Sequence, residues 1–211
     1  MSVLKANRKA SQFEVFHHFY KMRKEVTDLL LRDFGYDLER ADKKVLKMFG
    51  NRGYEELSPD EKVRYEKQKA KNQAFDEWFI ADERQAIVEC LRCIGAEVHI
   101  ANSIYPVYME ELVERRLHQD IAIGQCYRLT QELQYAIETL PVDVNKYLRF
   151  AEMIQTEINL LKGWRKSDNK FKRAISDSAS NFANVNNNGN ANYNNASNSN
   201  GVRPDFDSVI E

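Results

Sequence analysis

Residues 121–161 read IAIGQCYRLTQELQYAIETLPVDVNKYLRFAEMIQTEINLL. Ala122, Cys126, Leu129, Leu133, Ala136 and Leu140 recur at steps of four and three as far as Pro141. Tyr147, Ala151, Ile154, Ile158 and Leu161 then resume the same rhythm. That period lines apolar side chains along one side of an α-helix. Pro141 has no amide hydrogen and cannot continue the helix, so the stretch holds two helices with a short link. Each has a single apolar stripe to bury, and so short a link makes them neighbours that run antiparallel.

Working outward, Ile87, Leu91, Ile94, Val98 and Ala101 form another stripe, closed by Asn102, Ser103 and Pro106. Val15, Phe19, Met22, Val26 and Leu29 form a further one, flanked by Phe16, Tyr20 and Leu30 and ended by Gly35. Four stripes with short connections near 103–106 and 141–143 predict an all-α protein, an antiparallel up-down-up-down four-helix bundle. The connection after the first helix is longer, from Tyr36 to about Leu57, with room for a short helix near 41–49 before Gly50 and Gly53 break the chain.

Ser58-Pro59-Asp60-Glu61 is a helix start: the Ser hydroxyl can accept a backbone amide, Glu61 can reach back, and Pro suits the first helical position. A helix unbroken from there to Ala101 would be roughly 65 Å long. Its first half, EKVRYEKQKAKNQAF, is nearly all charge and is expected to protrude. The expected organisation is a basic arm over 1–11, a bundle over 12–173 with a charged insertion over about 36–73, and a tail over 174–211. That tail is rich in Asn, Ser and Gly and has too little apolar surface to offset the entropy of ordering, so disorder is expected.

The formal charge of −1 hides an uneven distribution. The tail carries Asp177, Asp205, Asp207 and Glu211 against Arg203, so the rest is slightly basic. Residues 1–10 hold Lys5, Arg8 and Lys9 and no acid, and 160–173 hold Lys162, Arg165, Lys166, Lys170, Lys172 and Arg173 against Asp168. No apolar run reaches the roughly 20 residues of a membrane span. Three cysteines, with no apolar leader, argue against a secreted disulfide scaffold, and a cytoplasmic location is expected.

Catalytic constellations are scarce. Cys90 and Cys93 have a ligand-like spacing, but no second Cys or His pair completes a tetrahedral site, and they read as core fillers. His17 and His18 border the first stripe as interface or surface residues. No Glu-x-x-His pair, Gly-rich phosphate loop or nucleophile elbow occurs, so no cofactor is expected. Arg92 and His99 resemble the Arg-x4–6-His signature of the HEPN helical ribonucleases, in which His would be the general acid or base and Arg would hold the phosphate. Cys93 stands where a polar residue usually follows that Arg. This ribonuclease is the alternative reading.

Arg115, Arg116, His118 and Arg128 lie on or near the third stripe. Glu111 stands four residues before Arg115, whereas Arg116 and Arg128 have no such acid and are freer to meet a phosphate. Trp164 sits among cations of one sign at the end of the last stripe. Such a ring can be a lid on the core, or a stacking platform for looped RNA whose backbone pairs with Lys and Arg.

The run INLLKGWRKSDNKF is preceded by EELVERRLHQDIAIGQCYRLTQELQYAIETLPVDVNKYLRFAE. Together with FEVFHHFYKMRKEVTDLLLRDFGY and AFDEWFIADERQAIVECLR, these segments resemble the accessory variability determinant (Avd) proteins of diversity-generating retroelements. Those are four-helix-bundle relatives of the 23S rRNA intervening-sequence proteins. The likeness covers about residues 12–171 and rests on helix layout and the Gly-Trp-x-Lys ending. It implies a non-enzymatic, homopentameric helper with a basic surface that binds the element's reverse transcriptase and template RNA during mutagenic copying. The insertion and the tail depart from the family pattern. Lys162, Trp164, Arg165, Lys166 and Lys170 are the first candidates for RNA contact; Arg116, Arg128 and Arg149 follow.

Overall fold

A computed structural model describes residues 12–178 and 180. The basic arm and residues 179 and 181–211 of the expected tail lie outside the described residues. All regular structure described is helical: α1 (Gln12–Leu31), α2 (Leu38–Lys47), α3 (Pro59–Ser103), α4 (Met109–Thr139) and α5 (Leu148–Ser167). Short 3-10 turns lie at Asp33–Gly35, Tyr54–Glu56 and Val144–Tyr147.

The apolar stripes of α1, α3, α4 and α5 meet in one core, where Phe19, Met22, Ile87, Ile94, Leu129, Ile154, Ile158 and Leu161 are fully buried. Phe16 of α1 meets His99 near the end of α3, and Arg84, earlier in α3, bonds Asp33 just past the end of α1. His18 reaches Glu157 in α5, while Tyr147 just before α5 donates to the Phe34 carbonyl at 2.7 Å. Of the expected α5 stripe, Tyr147, Ile154, Ile158 and Leu161 are buried, while Ala151 is exposed and Phe150 is buried in its stead. Tyr147 belongs to the 3-10 turn before α5, so the first step counted from it is three residues and not four.

α1 ends at a tight left-handed reversal, with Asp33, Phe34 and Gly35 all at positive φ. Phe34 adopts this unfavourable backbone while its side chain is fully buried, so packing outweighs the local cost. Ser58 caps α3 as expected: its Oγ accepts from the Glu61 amide and Glu61 accepts from the Ser58 amide at 2.9 Å. α3 then runs 45 residues without a break. Its charged first half does not stand bare. α2 folds back on it, and Val45, Leu57 and Tyr65 form a small second core with Phe49 and Tyr54. Tyr65 is the large buried ring that the charged segment contributes to this cluster. Ion pairs Lys69–Asp42 and Arg52–Glu61 frame it.

The chain stays helical beyond α5, through residues 169–178. Disorder expected from 174 therefore does not hold for 174–178. Ile175, one turn after Phe171, is partly buried, and Ser176 and Ser178 donate to carbonyls four residues back, so this segment satisfies its polar groups within its own helix.

Gly95 of α3 packs directly against the Phe19 ring of α1. A Cβ there would lie 3.1 Å from Cε1 and Cζ of the buried Phe19 ring. Gly95→Val should lower stability by ~2–3 kcal/mol through overpacking, seen as an earlier midpoint in urea unfolding, whereas Gly124→Val, where nothing lies within 4 Å, should leave that midpoint close to the parent.

Candidate nucleic-acid interface

Where α3 and α5 end and α4 begins, Arg115 is buried. Its Nε donates to Asp168 at 2.7 Å and its Nη1 donates to the carbonyls of Ala101 at 2.9 Å and Ile104 at 2.7 Å. Those carbonyls belong to the end of α3, where helix geometry leaves acceptors without partners. Asp168, at the C-terminus of α5, also accepts from Gln119 at 2.8 Å. The planes of Trp164 and Phe171 flank the guanidinium, with centroids 5.0 and 5.7 Å from Cζ. Arg115 is thus the internal fastening of this end, a role its four-residue step from Glu111 did not suggest. Glu111 instead accepts the Val107 and Tyr108 amides, which hold its carboxyl below the usual range.

On the outside of this fastening, Arg116, Lys162, Arg165 and Lys166 line an open depression of about 410 Å³ with Asp120, Ile123 and Asn169. Arg165 pairs with Asp120 at 2.7 Å. Arg116 donates to the Asn169 side chain at 2.6 Å, and Lys162 donates to the Tyr127 hydroxyl at 2.8 Å. Among the described residues, Arg116, Lys162 and Lys166 have no ion pair with a carboxylate. Lys170 lies one position beyond Asn169, with Nζ 4.8 Å from the Phe171 ring centroid. Four cations around one carboxylate leave positive potential that a bound anion would lower.

Three candidates separate from this group. Trp164 is 2% exposed. Its ring is a lid beneath Arg115, and burial removes it as a base-stacking surface. Arg128 lies about 18 Å along α4 from Arg116 and pairs with Glu132 at 3.1 Å. Arg149 stands at the other end of α5 and faces Glu25 at 3.6 Å. Neither joins the depression.

Arg92 and His99 are both exposed, about 10 Å apart along one side of α3. His99 Nε2 lies 3.0 Å from the Tyr20 hydroxyl and its ring packs on Phe16. Burial raises the thiols of Cys90, Cys93 and Cys126, keeping them protonated. Among the described residues no group of three His, Cys, Asp or Glu is placed to hold a metal ion.

Two buried acids were invisible in the sequence. Glu157 is fully buried and raised by burial, with its other oxygen bonded to His18 at 2.7 Å. Glu83 is pushed up to about 7 by burial and by Glu132 and Asp82, with Arg128 opposing. Both sit among apolar neighbours on stripes otherwise read as core. Comparison with protein-family models, curated proteins and solved structures returns no match.

Removing Arg115 would leave Asp168 buried without its counter-charge. Arg115→Ala should cost about 3–5 kcal/mol in urea unfolding, and Arg115→Lys, which cannot reproduce the forked donor set, should recover only part of it. Glu83 binds its proton more tightly folded than unfolded. It therefore favours the fold most below the unfolded value near 4.3, and that contribution is lost as pH rises toward 7. Glu83→Gln should raise the melting temperature at pH 8 by about 2–4 °C and flatten its decline between about pH 4 and 7.

Proposed function

We propose that this chain is a non-catalytic RNA-holding protein that grips a phosphate backbone in the cationic depression between the first half of α4 and the end of α5. The observation that carries the reading is the convergence of Arg116, Lys162, Arg165 and Lys166 on one concave surface with Asp120 as the acid in its lining. Clustered Lys and Arg bind phosphates by releasing condensed counterions, which requires no reaction and no cofactor. The pairs Phe16–His99, Arg84–Asp33 and Arg165–Asp120 support an antiparallel up-down-up-down course for α1, α3, α4 and α5.

The resemblance to the accessory variability determinant proteins gives this reading its biological form: a helper that holds template RNA and a reverse transcriptase during mutagenic copying, as a homopentamer in the cytoplasm. Among the described residues no helix is long and apolar enough to cross a membrane. The residues assigned to RNA are Lys162, Arg165, Lys166 and Arg116, with Lys170 at the edge. Arg165 contributes less than its neighbours because Asp120 already offsets its charge.

RNA affinity should fall steeply with salt. Titration at several salt concentrations should give a log–log slope of about −2 to −3, as three or four single-strand phosphate contacts would. Lys166→Gln should make the slope shallower by about 0.7, and Lys162→Glu with Lys166→Glu should abolish binding while circular dichroism stays unchanged. An unaltered affinity in the double variant would dismiss the site. Arg128→Gln serves as the control that leaves binding intact.

A further inference from the structure

We propose that the base-stacking platform beside the cationic depression is the Tyr105–Phe171 pair, and that the strand held there is single-stranded RNA. This inference rests on the RNA-binding reading above and adds to it which rings meet the bases and which form of RNA is taken.

Tyr105 stands in the connection between α3 and α4 and is 74% exposed. An exposed aromatic by itself is ordinary. This one is held in place from below. Arg115 bonds the Ile104 carbonyl just before it, and the next residue, Pro106, is buried. Phe171 meets it edge to face, with centroids 5.4 Å apart at 80°. The Phe171 ring in turn lies against the Arg115 guanidinium and under Lys170. The pair is therefore fixed by a buried ion pair, and little conformational freedom remains to be lost when a base settles on the free face of Tyr105.

The platform is linked to the depression through Asn169 and Arg116, which line it. Asn169, two residues before Phe171, accepts from Arg116, and Arg116 lines the depression directly after Arg115 in sequence. A flat ring next to a row of cations without carboxylate partners is the combination that holds an unpaired strand: phosphates pass along Arg116, Lys166 and Lys162 while a base covers Tyr105. A duplex would use the cations alone, because its base faces are already stacked on one another. An acidic polypeptide could also satisfy the cations, but it has no flat group to cover the ring.

The test compares a single-stranded RNA oligonucleotide with its own blunt duplex, using the full chain. The single strand should bind about tenfold tighter. Tyr105→Ala should remove most of that preference and Tyr105→Phe should retain it, with helicity unchanged in both. A 2-aminopurine base in the strand should be quenched on binding to the parent protein and to Tyr105→Phe, and stay bright with Tyr105→Ala. Equal binding of strand and duplex, or quenching that survives Tyr105→Ala, overturns this proposal and leaves phosphate gripping standing. Polyglutamate that displaces the strand as well as free RNA does also overturns it. Absence of binding to either RNA at low salt overturns both readings.

Discussion

The buried pair of Arg115 and Asp168 is the constraint on which the cationic end of this molecule depends. Taking two charges out of water is unfavourable unless their donors and acceptors are met. Here the guanidinium reaches two carboxylate oxygens and two main-chain carbonyls, and Gln119 gives the carboxylate a further donor. Because those carbonyls close α3 and Asp168 closes α5, one side chain near the start of α4 sets how the ends of α3 and α5 sit beside it. Trp164 and Phe171 enclose the charge, which explains an indole in a run of cations. The surface cations around the depression inherit their positions from this arrangement.

Elsewhere the interior is less completely satisfied. Glu157 has one oxygen on His18 and the other without a partner, and one oxygen of Glu83 is likewise unpartnered. Both carboxyls respond by holding protons more tightly. Asp168 differs from them in partner number, since a guanidinium and a side-chain amide both reach it, whereas Glu157 and Glu83 each keep a buried oxygen without a partner and are raised by desolvation. The core thus tolerates polar groups at the centre, whereas the end of the bundle uses them to fasten.

The insertion after α1 follows a separate logic. α2 and the first half of α3 share few apolar residues, and Val45, Leu57 and Tyr65 make a satellite core apart from the main one. Its surface is dressed with paired charges, including Lys69–Asp42 and Lys43–Glu39. The depression near α5 lacks that pairing at Lys162 and Lys166. Similar densities of Lys and Arg therefore produce a neutralised surface in one region and a positive one in the other.

Much of the fold was legible in the sequence because helical periodicity is a local property. The stripes on α1, α3 and α4 appear in the core as spaced, and Ser58, Pro106 and Pro141 mark their boundaries. The cationic character of residues 160–173 was equally plain. Which of those cations keep a carboxylate partner was not, since Arg165 meets an acid 45 positions away and Lys162 meets a tyrosine 35 positions away. Nor could spacing show that Arg115 points inward and Trp164 lies beneath it while Tyr105 remains outside. Periodicity assigns a residue to a side of its own helix; only the packing of one helix on another decides which charges are neutralised and which ring stays exposed.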